Sequence, residues 1–167
     1  MAELTKRKIA NSVWRAADAI RGSIDSSEFS QLLLPLVFYK YLSDKELTYV
    51  LEIMEKPIDT LRNAQKSFEI LCKDEDTKKV ILKKIQEKLG YTIEPEFTFM
   101  AHIQAIEERS FETIELDMSL QTIQNSNEGF VGIFEGLDLF SKKFGYTIQA
   151  KNKIFSEVLQ SLSSIGN

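Results

Sequence analysis

Apolar residues recur at helical spacing along nearly the whole chain. In the first segment Ile9, Val13, Ala16 and Ile20 fall on one stripe, with Arg7, Asn11, Trp14, Asp18 and Arg21 on the opposite face. Thr5 is placed to cap this helix and Gly22 to end it in a left-handed turn. A second helix has Asp25 as its cap and Glu28 three residues on, the pattern of a capping box. Its stretch from Phe29 to Leu42 is apolar on nearly every side, which suits the centre of a bundle. Pro35 lies inside that stretch. It removes a backbone donor, so a kink or a break is expected there. The helix can continue through Glu46, Tyr49, Val50 and Ile53 until Pro57 stops it.

Further helices are expected from about Thr60 to Lys73, and from the acidic cluster Asp74–Asp76 to Gly90. The latter carries Ile81, Leu82, Ile85 and Leu89 on one side, with Lys78, Lys79, Lys83, Lys84 and Lys88 around the rest. A turn or extended connector around Pro95 leads to a helix over Phe99–Glu108 and an acidic one over Phe111–Gln124. A Gly-rich, aromatic segment of short turns precedes a last helix over Thr147–Ser163, whose apolar residues are Ile148, Ile154, Phe155, Val158, Leu159 and Leu162. No alternation of period two is long enough for a sheet. The hexapeptide Lys-Leu-Gly-Tyr-Thr-Ile at 88–93 is echoed at 143–148 with Phe for Leu. The flanks do not align, so these read as two similar helix ends without a repeat architecture. The expected fold is all-α: a multi-helix bundle around a central apolar helix kinked or broken near Pro35, formed by residues 1–167 as a single helical domain.

Composition narrows the chemistry. The chain has 167 residues, enough for a real core, and is 43% hydrophobic and 28% charged. One cysteine excludes an internal disulfide and a multi-Cys zinc site, and one histidine excludes any site needing two. The net charge of -4 is unevenly spread. Residues 1–21 and 142–167 each carry an excess of three positive charges, whereas residues 91–141 carry ten acids against one base. Basic ends around an acidic middle suggest a polarised surface. The start lacks the apolar stretch of a secretory signal, and no apolar run could span a bilayer. A cytoplasmic location is expected.

No catalytic, cofactor-binding or metal constellation emerges. His102 among apolar residues reads as structural, and Cys72 after Ile70 and Leu71 as a buried small hydrophobe. Glu107, Glu108, Glu112, Glu115 and Asp117 read as a solvated acidic face. Gly129, Gly132 and Gly136 follow no strand and match neither a dinucleotide fingerprint nor a phosphate-binding loop. The lysines of the fourth helix read as its solvated face. The basic first helix offers more. Arg7, Lys8, Trp14, Arg15 and Arg21 are candidate DNA- or partner-facing residues, since arginines grip phosphates and a tryptophan can stack or anchor. The usual burial of tryptophan favours the alternative that Trp14 belongs to the core.

The segment from Thr5 to Asp44 resembles the start of the modification (M) subunit of type I restriction-modification systems. Members open with a basic helix bearing Trp-x-Ala-Ala-Asp-x-Leu-Arg-Gly, matched by Trp14 to Gly22 with Ile20 in the Leu slot. Glu28-Phe29 matches an acidic-aromatic helix start, and Leu34 to Asp44 matches Leu-Pro-Leu-x-Phe-x-Lys-Tyr-x-Ser-Asp. Tyr91 to Phe97, Phe134 to Gly145 and Asn152-Lys153 resemble later family segments in the same order.

The resemblance implies an adenine-N6 DNA methyltransferase whose full-length subunit uses S-adenosylmethionine, bound by a Phe-x-Gly-x-Gly loop, and holds adenine in an Asn-Pro-Pro-aromatic pocket. Neither motif occurs here, and Pro35, Pro57 and Pro95 are all isolated. The chain is therefore expected to be the N-terminal helical domain without the catalytic one, lacking a cofactor of its own. The implied partners are DNA, contacted weakly and without sequence preference, together with a specificity (S) subunit and a second M subunit. The implied role is to help clamp DNA and assemble these subunits. A module that docks other subunits without touching DNA is the alternative, and an independent small enzyme the least supported.

Overall fold

The computed structural model describes residues 2–20 and 26–165. Among them are seven α-helices, three short 3₁₀ turns and no strand: α1 (Ala2–Ile20), α2 (Ser26–Ile53), α3 (Leu61–Leu71), α4 (Glu75–Leu89), α5 (Phe99–Glu107), α6 (Thr113–Ser126) and α7 (Ile148–Leu162). The all-α expectation holds. Thr5 lies inside α1, which begins at Ala2, so it does not occupy the start of that helix. The expected roles of Gly22, Asp25 and Glu28 at the neighbouring helix ends fall outside the described residues or side chains.

α2 is the spine. Its 28 residues run unbroken through Pro35, a length of roughly 42 Å. Of the two expectations there, a kink or a break, the break does not occur. Proline removes one hydrogen bond, the one to the carbonyl of residue 31, and Gln31 lies at an exposed position where water can take its place. Leu32, Leu33, Leu36 and Tyr39 on both sides are buried and anchor the helix in the core. The first half of α2 joins one core with Ala16 and Ala17 of α1 and the buried faces of α5, α6 and α7. Its second half, through Leu47, Val50 and Leu51, joins another with Ala64, Phe68 and Cys72 around α3, and Ile81 and Ile85 of α4. α2 is not buried all round, however. Leu34 and Tyr41 point outward, 65% and 59% exposed.

Local sequence fixes four of the seven helix starts. Thr60, Asp74, Thr98 and Thr147 each accept a backbone N–H from three residues on, closing the starts of α3, α4, α5 and α7. Gly90 ends α4 with φ of 83°, a left-handed cap as the sequence predicts. α6 is capped from a distance: Asn152 Oδ1 of α7 accepts both the amide (2.8 Å) and the hydroxyl (2.7 Å) of Thr113.

The connector between α4 and α5 is extended with a 3₁₀ turn at Pro95–Phe97. One face of α2 pins it. Tyr39 donates its hydroxyl to the Phe97 carbonyl. Ser43 Oγ accepts the Phe99 amide at 2.8 Å, and Glu46 Oε1 accepts the Ile93 amide at 2.6 Å. In return Tyr91 donates to the Leu42 carbonyl at 2.8 Å. From α3, Gln65 donates to the Pro95 carbonyl at 2.8 Å and accepts the Thr98 hydroxyl at 2.6 Å. A buried extended segment cannot satisfy its own backbone, so these side chains do it.

Candidate docking site

Residues four or so apart on a helix share a face. On α1, Ala10, Val13, Trp14 and Ala17 form such a row; on α2, Leu33, Leu34 and Val37 form another. The two rows line a groove of about 550 Å³. Ala16 and Ala17 bury against the core, where α1 packs mainly on α7 and less on α2. Trp14 is turned roughly 100° from its neighbours in sequence, and it projects over the groove, 61% exposed. This corrects the expectation that Trp14 is core. The small side chains of Ala10 and Ala17 leave the groove open. Leu34 forms its other wall, and Tyr41 extends that wall two turns along α2.

Charges of both signs stand around the groove. Arg7, Lys8 and Arg15 are exposed on α1. Arg7 continues the Trp14 row by two turns and Asp18 lies one turn along it the other way, while Lys8 and Arg15 lie about 100° farther round the helix, away from the groove. On α2, Lys45 lies over the Tyr41 ring, 5.9 Å from its centre. The neighbouring Asp44 is paired with Lys40, which itself sits over the Phe99 ring at 5.6 Å. Asp18 on α1 is exposed and has an interaction of its own. Of the predicted site residues, Arg7, Lys8, Trp14 and Arg15 thus lie on one exposed helix surface, and Arg21 lies outside the described residues. The groove wall contributed by α2 was missed because an apolar helix reads as core throughout. The signal was present in the row Ala10, Val13, Trp14, Ala17, displaced by one position from the stripe that was predicted.

The remaining candidates are structural. His102 is buried on α5, and its Nε2 meets Ser119 Oγ of α6 at 2.7 Å. Burial pulls its pKa down to about 4. Cys72 is buried in the smaller core, which pushes its thiol up to about 11 and makes it a poor nucleophile at neutral pH. Glu107, Glu108, Glu112 and Glu115 are exposed, as a solvated face requires, with Glu107 held in a two-pronged pair by Arg62 (2.8 and 2.6 Å). Asp117 is half-buried instead, and burial followed by the repulsion of Asp138 raises its carboxyl. Glu46 is the buried acid the sequence did not single out. Burial pushes its carboxyl well above the usual range, opposed by the Ile93 amide and the Thr92 hydroxyl.

Among the described residues the chain is all-helical, with an exposed apolar groove between α1 and α2 and no group of residues that could hold a metal ion. The sequence pattern of the HsdM N-terminal domain family matches residues 9–162, and the chain belongs to that family. It is similar to the type I restriction enzyme MpnII methylase subunit of Mycoplasma pneumoniae, 24% identical over 94% of this chain and 30% of that protein. Its fold is similar to the crystal structure of the type I restriction-modification system methyltransferase subunit from Streptococcus thermophilus. There the TM-score is 0.88 and the identity 33%, over 95% of this chain and 34% of that one. The chain therefore spans about a third of the length of these relatives.

Proposed function

We propose that this chain is the N-terminal helical domain of an adenine-N6 DNA methyltransferase M subunit, acting as a single unit over residues 1–167. It assists the clamping of DNA and the assembly of the M subunit with its specificity subunit and a second M subunit. It is not catalytic alone. The observation that carries this reading is that one exposed helix, α1, presents Arg7, Lys8 and Arg15 together with an uncovered Trp14. Cations serve phosphates or acidic side chains, and an exposed tryptophan beside an apolar groove serves a partner protein. The names of the relatives support the wider setting, and the absence of a membrane-spanning helix among the described residues is compatible with a cytoplasmic site of action.

S-Adenosylmethionine belongs to the full-length subunit in this reading. The residues of this chain do not fit it. Gly129 lies in a 3₁₀ turn, Gly132 and Gly136 lie in ordinary turns, and no strand precedes them among the described residues. Calorimetry of the isolated chain with S-adenosylmethionine should give no binding at micromolar concentrations; clear binding overturns the assignment.

The test of the role is a DNA titration at low and moderate salt, with Arg7→Glu and Arg15→Glu as variants. Weak binding that salt abolishes and the variants reduce supports clamping. The apolar lining of the groove favours the second reading, a domain that docks subunits without touching DNA, because phosphates gain nothing from Leu33, Leu34 and Val37. Unchanged DNA affinity with lost subunit assembly in the same variants decides for it.

A further inference from the structure

We propose that the seam between α2 and the 91–98 connector is a proton-locked joint: Glu46 holds one proton in the folded domain, and the seam opens by giving that proton to water. Glu46 is fully buried on α2. Its Oε1 accepts the Ile93 amide at 2.6 Å. Its Oε2 and the Thr92 hydroxyl oxygen are also buried, and neither has a hydrogen-bond partner among the described residues. The hydroxyl stands close enough to act on the carboxyl, so a proton on Oε2 directed at Thr92 Oγ1 pairs the two atoms. The charged form has nothing to balance it. Tyr39, Tyr91 and Cys72 lie within reach of its charge and are uncharged at neutral pH. On its own helix Lys40 is tied to Asp44, and Lys45 lies out over Tyr41. On α4, Lys78 is tied to Glu94 at 3.2 Å, and Glu96 beside that pair is a further acid. A buried carboxylate without a cation is costly, so the carboxyl keeps its proton.

The seam lies where the two cores meet. Tyr91 and Ile93 of the connector belong to the larger core, whereas Leu47 and Val50, the next buried apolar residues along α2, belong to the smaller one. Opening exposes Glu46 to water, where a glutamate titrates near pH 4.3. Between that pH and the raised folded value each opening releases one proton, so the open population rises about tenfold per pH unit. Above the folded value the dependence stops, because the acid is already ionised. The joint is thus tightest in acid and loosens as pH rises.

Hydrogen exchange of the full chain, followed residue by residue in NMR, reads the joint. Protection is taken relative to exchange in a free peptide, so base catalysis divides out. Glu46→Gln is the reference, since its amide keeps an acceptor for Ile93 and supplies a donor for Thr92. Relative to it, Ile93 protection in the native chain should fall about tenfold per pH unit from about pH 5 upward. Ile93 should also be about tenfold or more less protected than Val158 in the core of α7, the mark of local opening. A carbon-13 titration should find the Glu46 carboxyl still protonated at about pH 6, where a free glutamate has lost its proton. The proposal is overturned if that carboxyl titrates near 4.3, or if the two chains have parallel exchange profiles. Equal protection of Ile93 and Val158 also overturns it, because the seam then opens only with the whole domain. The carboxyl titration needs no variant, and loss of folding in Glu46→Gln, which mimics the protonated acid, counts against the proposal in the same way.

Discussion

Acidification should destabilise the domain through one residue, His102. The ring is buried between α5 and α6 and packs edge-on against Phe111, 5.8 Å between centres at 86°, with Tyr39 at 6.3 Å. Ser119 Oγ donates to the Glu115 carbonyl at 3.0 Å, which leaves its lone pairs to accept from a protonated Nε2. The neutral ring is thereby satisfied, and a charged one gains only a desolvation penalty. That penalty lowers the pKa from 6.5 to about 4. An unfolded chain takes up the proton near 6.5, the folded chain only near 4, so stability is complete above pH 6.5 and falls as pH drops toward 4. The loss works out at about 2 kcal/mol by pH 5 and about 3 kcal/mol at pH 4. Urea unfolding of the native chain and of His102→Gln, followed between about pH 7 and pH 4.5, isolates this contribution, since other titrating groups cancel in the difference. The difference should shrink as pH falls, because the variant has no proton to take up. Parallel stability curves, or an imidazole titrating near 6.5 by NMR in the folded chain, refute the reasoning.

Glu46 should act in the opposite sense. Its folded-state carboxyl is raised by burial, so the stability it brings is full below about pH 4.3 and is lost as pH rises toward the folded value; the urea midpoint of Glu46→Gln, measured against pH, should therefore gain on the native chain with rising pH. Ser43→Ala strands the buried Phe99 amide and should cost about 1–3 kcal/mol in the same unfolding assay. Gly145 has φ of 115°, and an added Cβ would lie 2.6 Å from that of Ala150, so Gly145→Ala should lower the melting temperature by calorimetry, at a cost of about 2 kcal/mol or more. Glu55 ends α2 at φ of 53°, where Lys56 N bonds the Leu51 carbonyl at 2.9 Å; Glu55→Gly relieves the left-handed strain and should raise the melting temperature, by about 1 kcal/mol of stability.

What could be read from the sequence was decided within a few residues. Asp74 and Gly90 bracket α4 as local capping demands, and Ile81 and Ile85 bury as their spacing requires. Thr98 and Thr147 open helices by the same short-range bond. What could not be read depends on neighbours far along the chain. The apolar composition of α2 gave no hint that Leu34 and Tyr41 would face outward, because that depends on α1 covering only part of it. Nor did the spacing in α1 tell Trp14 from a core residue, since Ala16 and Ala17 take the buried place against α7.

The echoed hexapeptide shows how little local sequence decides in such places. Tyr91 is 2% exposed and Tyr146 is 86% exposed, although both stand in Gly-Tyr-Thr-Ile. In the first copy Gly90 caps α4 and the chain runs on extended beneath α2, where Leu42 accepts the tyrosine hydroxyl and Glu46 the isoleucine amide. In the second, Gly145 closes a 3₁₀ turn and Thr147 at once starts α7, so Ile148 becomes the first residue of a helix and stays in water. That corrects both the reading of two similar helix ends and the placement of Ile148 on the apolar face of α7. The difference lies in the receiving surface. Ser43 and Glu46, polar residues buried on the face of α2 that meets this segment, accept the first copy's extended backbone. The same contrast separates architecture from function in this chain. Polar residues that interrupt an apolar helix and bury, such as Ser43 and Glu46, hold the fold together. Apolar residues that stay exposed along the groove, such as Trp14 and Leu34, have no such task within it, and they are where a partner should be sought.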